Sequence, residues 1–522
     1  MSALVIDGSG LGIEDVTLVA RHRRPVAVAP EVWPRLEAAR VVVERWAAGD
    51  APVYGLNTGL GGNLGHRLSP GEVAAFQAQL IRGRAVGLGP PLPGEVVRAA
   101  LLVRANGVAR GASGVSPAVL AMLVELLNRG VVPVVPCHGS IGAADLVPMA
   151  HIGLVLLGRG EAELEGEVLP GGEALARAGL APLPLQAKDG LGLINASALT
   201  AGHAALVLSD ARRLVLTAAA VAALACEGYA ANLGAFDART AALRPAPGQE
   251  SAADLFRALL AGSALEAGGA ARAVQDALSF RCLPQITGVA LDALAHAVAV
   301  TEIEVNGAGD NPAVLDDCIL SSGNFHTGAL ALAFDALALA LAQLAHAGLA
   351  RTIKLMSAAH SGLPRYLSPA GGACAGLVPL QKSAAALLAE IRLEASPTCL
   401  DALAISDFVE DHAPHTPLAV RKLGRLLELL GRLVAIEAIA SAQAVDLRRP
   451  ARLGVGTALV QAFVRETVPP LEADRETGAE AEELARHLLA GDLARRLDPV
   501  LPPAKETRQV PGTRAPSPPF SP

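Results

Sequence analysis

Residues 416–434 read TPLAVRKLGRLLELLGRLV. Pro417 falls in what would be a first helical turn, where the amide it lacks has no partner to lose. Leu423, Leu426, Leu430 and Leu433 follow at spacings of three and four, and Arg421, Arg425, Glu428 and Arg432 mark another face. The stretch predicts a long helix with one apolar face, ending before Pro450. Further apolar stretches at 205–226, 287–305 and Asp335–Met356 predict helices of the same kind. Few segments show the two-residue alternation of half-buried strands, and aromatic residues make up only 3% of the chain. The expected fold class is mainly α, with a central bundle of long helices.

The rest of the chain is organised around that bundle. Residues 1–200 are rich in glycine and proline and predict an N-terminal, mainly helical, loop-rich domain, with short helices such as Leu36–Ala48. Residues 201–501 predict the central long-helix bundle and C-terminal helices. From Pro502 to Pro522 the sequence is proline-rich and almost without apolar content, so this tail is expected to be disordered. There is no internal repeat.

Bulk composition narrows the function classes. A net charge of -7, with 18% charged residues and no basic stripe interleaved with aromatics, argues against nucleic acid and for a small-molecule partner. Six cysteines without a C-x-x-C pair, and no charged-then-apolar leader, point to reduced thiols and a cytoplasmic protein. The run LVLTAAAVAALAC, Leu214–Cys226, is shorter than the ~20 residues of a spanning helix. A longer run after His326 is interrupted by Asp335, Gln343 and His346, so no membrane partner is expected. His138, His151, His326, His412 and His415 show no metal-ligand spacing and read as core or interface residues, so no metal is expected.

Chemistry-bearing residues cluster in a series of motifs. In chain order these are YGLNTGLGG (54–62), QLIRGRAVGLG, GSIGAADLVPMAH, KDGLGLINAS, QDALSFRCLPQ, GDNP, SGNFH and VEDH (409–412). In this order and spacing they resemble the aromatic amino acid ammonia-lyase family, histidine ammonia-lyases above all, over nearly all of residues 1–500. The resemblance implies an all-helical lyase fold, a homotetramer and active sites assembled from three subunits. It also implies an electrophile made from the chain itself, a methylidene-imidazolone ring cyclised from an Ala-Ser-Gly triplet.

At that triplet the chain departs from the pattern. Where the family reads Gly-Ser-x-Gly-Ala-Ser-Gly-Asp-Leu, residues 139–146 read Gly-Ser-Ile-Gly-Ala-Ala-Asp-Leu, one residue shorter. Ring formation needs a hydroxyl to lose as water and an unhindered amide nitrogen to close on the carbonyl two residues back. Ala144 has no hydroxyl and Asp145 is not glycine, so no ring and no other cofactor is expected. A literal Ala112-Ser113-Gly114 lies in RANGVARGASG, a stretch that resembles the family's ordinary Gly-x-Ser-Gly segment.

Other positions are a mixture of kept and changed. The resemblance implies that Tyr54 is the base removing the β-proton, that Asn195 and Arg281 position ring and substrate carboxylate, and that Gln275, Phe325 and Glu410 line the pocket. Leu278 replaces a tyrosine that supports the ring, Val409 replaces a glutamine, and Arg84 replaces a histidine that contacts the substrate side chain. On their own terms, Tyr54 could be a half-buried phenol, and Arg281 an ion-pair partner of Asp276 or Glu410. The forked guanidinium nevertheless suits a carboxylate. GLGGNLG lacks the lysine and hydroxyl of a phosphate loop and reads as a mobile lid. Asp145 reads as a helix cap, His326 as packing under the pocket, and Cys137 and Cys282 as small packing residues.

Without an electrophile, expulsion of ammonia from a plain amino acid should be far too slow. The sequence therefore predicts base-catalysed elimination, addition or isomerisation on a carboxylate-bearing substrate that carries its own activation. A phenol, with a reference pKa of about 10, needs nearby positive charge to act as a base at neutral pH, and Arg84 and Arg281 are the candidates to supply it. The alternative is a non-catalytic lyase-fold subunit that binds a ligand or an active partner. A conventional ammonia-lyase ranks last.

Overall fold

The computed structural model describes residues 2–60, 65–69, 71–267, 269–400 and 404–501. The tail expected to be disordered, and residues 61–64 of the glycine-rich loop, lie outside them. The protein is mostly helical, with 61% of its residues in helices. Among its longest helices are α1 (Ala198–Tyr229), α2 (Leu283–Asn306), α3 (Gly328–Leu355), α4 (Val378–Glu394) and α5 (Thr416–Arg448).

α5 shows how the sequence sets these boundaries. His415, just before it, is left-handed (φ 51°) and donates its amide to the Ile141 carbonyl. Arg449, just after it, is left-handed as well (φ 55°), and Pro450 forbids continuation. Leu423, Leu426, Leu430 and Leu433 are all buried, as their spacing requires. The polar face is less uniform than expected. Arg425 and Glu428 are exposed, whereas Arg421 and Arg432 are half-buried and engaged, Arg421 with the Cys137 carbonyl and Arg432 with Glu482. Beyond Leu433 nearly every residue to Ala444 is buried, so this half of the helix has no solvent face at all.

Other boundaries move outward from their expected places. The helix anticipated at Leu36–Ala48 starts four residues earlier and spans Val32–Ala48, because Pro34 sits in its first turn, where proline is tolerated. α1 extends past the expected 205–226, by seven residues at its start and three at its end. By length and composition three helices could cross a membrane, Asp189–Tyr229, Leu283–Asn306 and Gly328–Leu355, which corrects the expectation that no run is long enough. The apolar window of the first is 94% buried inside the protein, as in a core helix.

The chain forms two compact units, each assembled from three separated segments. The first comprises Met1–Arg213, Ala293–Ala342 and Ala389–Leu430. Its centre is the helix Gly94–Ala109, buried at every residue from Val96 onward. Even Arg98 is buried there, its guanidinium donating to the Val19, Ala20 and Leu127 carbonyls near the ends of two neighbouring helices. The strands of this unit are two to four residues long, in small two- and three-stranded sheets that do not build the core.

The second unit comprises Leu214–Asp292, Gln343–Leu388 and Gly431–Pro522. A buried ion pair, Arg351 with Glu437, lies in its interior at 2.6 Å, both side chains at most 2% exposed. Arg351 also donates to the Ser279 carbonyl at 3.1 Å. Gly348 makes room for the pair, since a Cβ there would meet Glu437 at 2.6 Å.

Candidate active site

The loop Gly139–Asp145 is built from the backbone outward. Gly142 has φ 85° and lies against Thr416, where a Cβ would come within 2.9 Å of the backbone nitrogen, so the loop requires glycine at this point. Ala143 forms an isolated antiparallel bridge with His326. Thr327 closes the same side by donating its hydroxyl to the Gly142 carbonyl at 2.9 Å. Ala144 is left-handed (φ 63°) and donates its amide to the Phe325 carbonyl at 3.2 Å.

These details bear on whether residues 143–145 could carry the family's ring. The amide nitrogen that would have to close it, that of Asp145, donates to the Ala196 carbonyl at 2.9 Å. The neighbouring side chain that would have to dehydrate is the Ala144 methyl. The residues present do not suit the group. The literal triplet is no better placed: the Gly114 amide donates to the Gly111 carbonyl, and the Ala112 carbonyl accepts from Val314.

Asp145 stands at the N-cap of the helix Leu146–Leu156, but its side chain does not cap that helix. Its carboxylate instead accepts from the Ser140 hydroxyl at 2.7 Å and from the Thr200 amide and hydroxyl at 2.8 and 2.7 Å. The expected cap thus gives way to a bond that fixes the loop against the start of α1. Burial lifts the Asp145 carboxyl above the usual range, and these donors pull it back.

Beside this loop opens a cavity of about 360 Å³, lined by Arg104, Ser197, Glu304, Asn324, His326 and the glycine-rich backbone at 307–309. His326 is therefore exposed at the cavity rather than packed beneath it. Its Nε2 is 2.9 Å from Nδ1 of His412, which keeps it at the surface. Arg104 is held from behind by a buried ion pair with Asp310 at 2.7 Å. Burial, with the negative charge of Asp145, pushes the Glu304 carboxyl up to about 7. Sequence reading missed Glu304; its one signal is a third carboxylate, after Asp292 and Glu302, on a largely apolar helix.

Glu304 gives a pH prediction. Its folded pKa lies above the ordinary 4.5, so between 4.5 and about 7 the folded protein holds a proton that the unfolded chain has lost. The stability linked to this group is complete below 4.5 and disappears as pH rises through 7. Melting temperatures measured across this window should fall with pH in the parent protein and fall less in Glu304→Gln.

The other residues singled out from the sequence divide between the two units. Tyr54, Arg84, Asn195, Phe325 and Glu410 lie in the first, with the 143–145 loop; Gln275, Leu278 and Arg281 lie in the second. Tyr54 is half-buried, and Leu56, Asn57, Thr58 and Leu60 after it are all buried. Asn57 ties the segment to itself by accepting from the Val53 amide at 2.7 Å, and Gln77 donates to the Gly55 carbonyl. Of the stretch expected to act as a mobile lid, GLGGNLG (59–65), residues 61–64 lie outside the described residues.

Arg84, at the end of the helix Val73–Arg84, feels the negative charge that Tyr54 and Glu410 carry when ionised, which places the three in one neighbourhood. Burial is the larger effect and holds the guanidinium below its ordinary range. Asn195 is buried and donates to the Asn311 carbonyl at 2.6 Å. The Phe325 carbonyl accepts from both Ala144 and the Ser197 hydroxyl, so residue 325 is fixed by its backbone. Ser406 holds Glu410 by a hydrogen bond.

In the second unit, Arg281 pairs with no carboxylate among the described residues. Its Nη1 donates to Gln275 Oε1 at 2.6 Å, while Asp276 accepts from the Asn232 amide. A neutral partner orients the fork and leaves its charge uncompensated. Leu278 is 60% exposed, and Gln275 is exposed as well. Cys137 and Cys282 are half-buried and unpaired by disulfide, in keeping with packing roles. Among the described residues no group of three or more metal-ligating side chains comes together.

Residues 11–466 match the family described as aromatic amino acid lyase. The chain is 42% identical to a histidine ammonia-lyase of Gloeobacter violaceus, over 94% of this chain and 96% of that protein. It is 40% identical to another of Symbiobacterium thermophilum, over 95% and 98%. Among solved structures it is similar to ergothionase, an ergothioneine-degrading enzyme of Treponema denticola in complex with desmethyl-ergothioneine sulfonic acid. That likeness has a TM-score of 0.92 and 32% identity, covering 94% of this chain and 99% of that one. A histidine ammonia-lyase of Trypanosoma cruzi follows at a TM-score of 0.88 and 28% identity, covering 98% and 100%.

Proposed function

This chain belongs to the aromatic amino acid lyase family, and from that premise we propose that it is a lyase working without the family's ring, on a small carboxylate-bearing substrate whose leaving group needs no added electrophile. One observation carries the reading: residue 144 has no hydroxyl, and the amide of residue 145 is committed to Ala196.

The chemistry follows from what such a site lacks. In a free amino acid the ammonium N–H is far more acidic than the β-C–H, so a base takes the wrong proton and the nitrogen stays. A trimethylammonium group has no N–H, remains cationic at every pH and departs as a neutral tertiary amine. Ergothioneine, the betaine of a thiolated histidine, has this group. In the proposed step Tyr54, as phenolate, takes a proton from Cβ. The C–H pair becomes the Cα–Cβ double bond, and the C–N pair leaves with the amine. Arg84 lies close enough to Tyr54 for their charges to interact.

Arg281 supplies the carboxylate clamp, oriented by Gln275. Asn195, Phe325 and Glu410 complete the substrate contacts. We also place the protein in a homotetramer whose sites draw Tyr54 from one copy and Arg281 from another. The exposed apolar side chains Val289 and Ile303 on α2 and Leu332 and Leu339 on α3 support this, as faces a partner copy would cover.

Incubation with ergothioneine and related betaines, beside histidine, phenylalanine and tyrosine, tests the reading. Trimethylamine from a betaine and no ammonia from the amino acids is the expected result. Ammonia from histidine would contradict it, and binding without turnover across the panel would place the protein with the non-catalytic alternative.

A further inference from the structure

Arg104 and Asp310 form a buried ion pair at 2.7 Å, each side chain 1% exposed. Nη2 of Arg104 donates to Asp310 and also to the Gly192 carbonyl, and Nη1 reaches the other Asp310 oxygen at 3.4 Å. Nε has no partner among the described residues, so the bonds of the guanidinium go to these two groups. Asp310 answers a second buried cation as well: burial pushes the Lys188 ammonium down to about 8, and the Asp310 charge holds it up.

The two groups that Arg104 joins flank Asn195. Gly192 belongs to the short helix Asp189–Ile194, and Asn195 caps its end. Six residues make about one and a half turns, too few to hold their shape by their own bonds. The start of this helix is tied by Asp189, which accepts from the Ser116 amide and hydroxyl at 2.7 and 2.9 Å. Its middle is tied by Gln77, which accepts from the Leu191 amide at 3.0 Å. Arg104 ties its end to the segment of Asp310 and Asn311. There Asn195 Nδ2 donates to the Asn311 carbonyl at 2.6 Å. A carbonyl accepts only from the nitrogen end of an amide, so this bond decides which way the Asn195 side chain is turned.

We infer that Arg104 and Asp310 are positioning residues: by joining Gly192 to the segment of Asn311, their ion pair sets the orientation in which Asn195 meets the substrate. This rests on the substrate contact proposed above for Asn195. With the pair broken, the helix end and the Asn311 carbonyl are free to separate, and a misplacement of about 1 Å at a substrate contact can cost on the order of 100-fold in rate.

Asp310→Asn, which keeps the shape and removes the charge, tests this beside Asn195→Ala and the double variant, all in the full chain. In crystals of Asp310→Asn, Asn195 Nδ2 should leave the Asn311 carbonyl while the Ser116 and Gln77 bonds of the short helix persist. With whichever betaine or amino acid the protein turns over, Asp310→Asn should lower kcat/KM about 10- to 100-fold. Added to Asn195→Ala, it should cost no more than about a further twofold, since no amide is left to misplace. An ion pair that only supports the fold would cost the same factor in both backgrounds. If Asp310→Asn does not fold, Arg104→Lys takes its place, because an ammonium keeps the charge without the fork that reaches Gly192 and Asp310 together.

An unmoved Asn195 in the crystal, unchanged kcat/KM, full activity of Asn195→Ala, or losses that multiply in the double variant would each overturn the inference. If no compound is turned over, the proposed elimination fails and the crystal structures decide alone: a displaced Asn195 leaves the positioning role standing, and an unmoved one removes it.

Discussion

Tyr54→Phe should lower turnover of a betaine substrate by about 10²- to 10⁴-fold, the usual contribution of a positioned general base, while ligand affinity stays within about threefold. The substitution removes one oxygen and keeps the ring that fills the half-buried position, so the segment Val53–Leu60, held by Asn57 and Gln77, should keep its shape. Single-turnover kinetics with a saturating betaine, beside calorimetric affinity for an analogue that cannot eliminate, separates the two effects. Unchanged turnover would remove Tyr54 from the mechanism, and a parallel loss of affinity would make it a binding residue.

Arg351→Met should destabilise the folded protein by about 3–5 kcal/mol, because Glu437 would be left buried without its partner. The two side chains are at most 2% exposed, and Arg351 also satisfies the Ser279 carbonyl, so water cannot replace the lost bonds without opening the interior. Burial already pushes the Glu437 carboxyl upward, and Arg351 is what restrains it. The double variant Arg351→Met with Glu437→Leu should recover most of the loss, since a well-packed apolar pair often matches a buried ion pair. Denaturant unfolding of both variants measures this. A double variant no more stable than the single one would show that the lost packing, not the orphaned charge, dominates.

The sequence made the long helices legible where apolar spacing and terminators coincide, as at α5 between Pro417 and Pro450. It read poorly where alanine dominates, because alanine favours helix without marking a face; α1 thus runs past the expected 205–226 at both ends. At the candidate site, the missing hydroxyl of residue 144 was plain from the sequence. The partners of its neighbours were not. Asp145 looked like a local cap, yet its donors come partly from Thr200, and His326 meets His412 across 86 positions. Such bonds follow from the packing of distant segments and leave no local pattern. Arg281 shows a finer failure. Gln275 and Asp276 are adjacent in the chain, and only the structure separates the one that orients Arg281 from the one that holds Asn232.

The ring-free reading stands or falls on the covalent state of residues 143–145, and the intact mass of the purified protein examines it directly. A mass equal to that of the printed sequence, with no near-ultraviolet absorbance beyond its aromatic residues, is the predicted outcome. A mass lower by two waters, with the deficit mapped by fragmentation to a cyclised tripeptide anywhere in the chain, would contradict it.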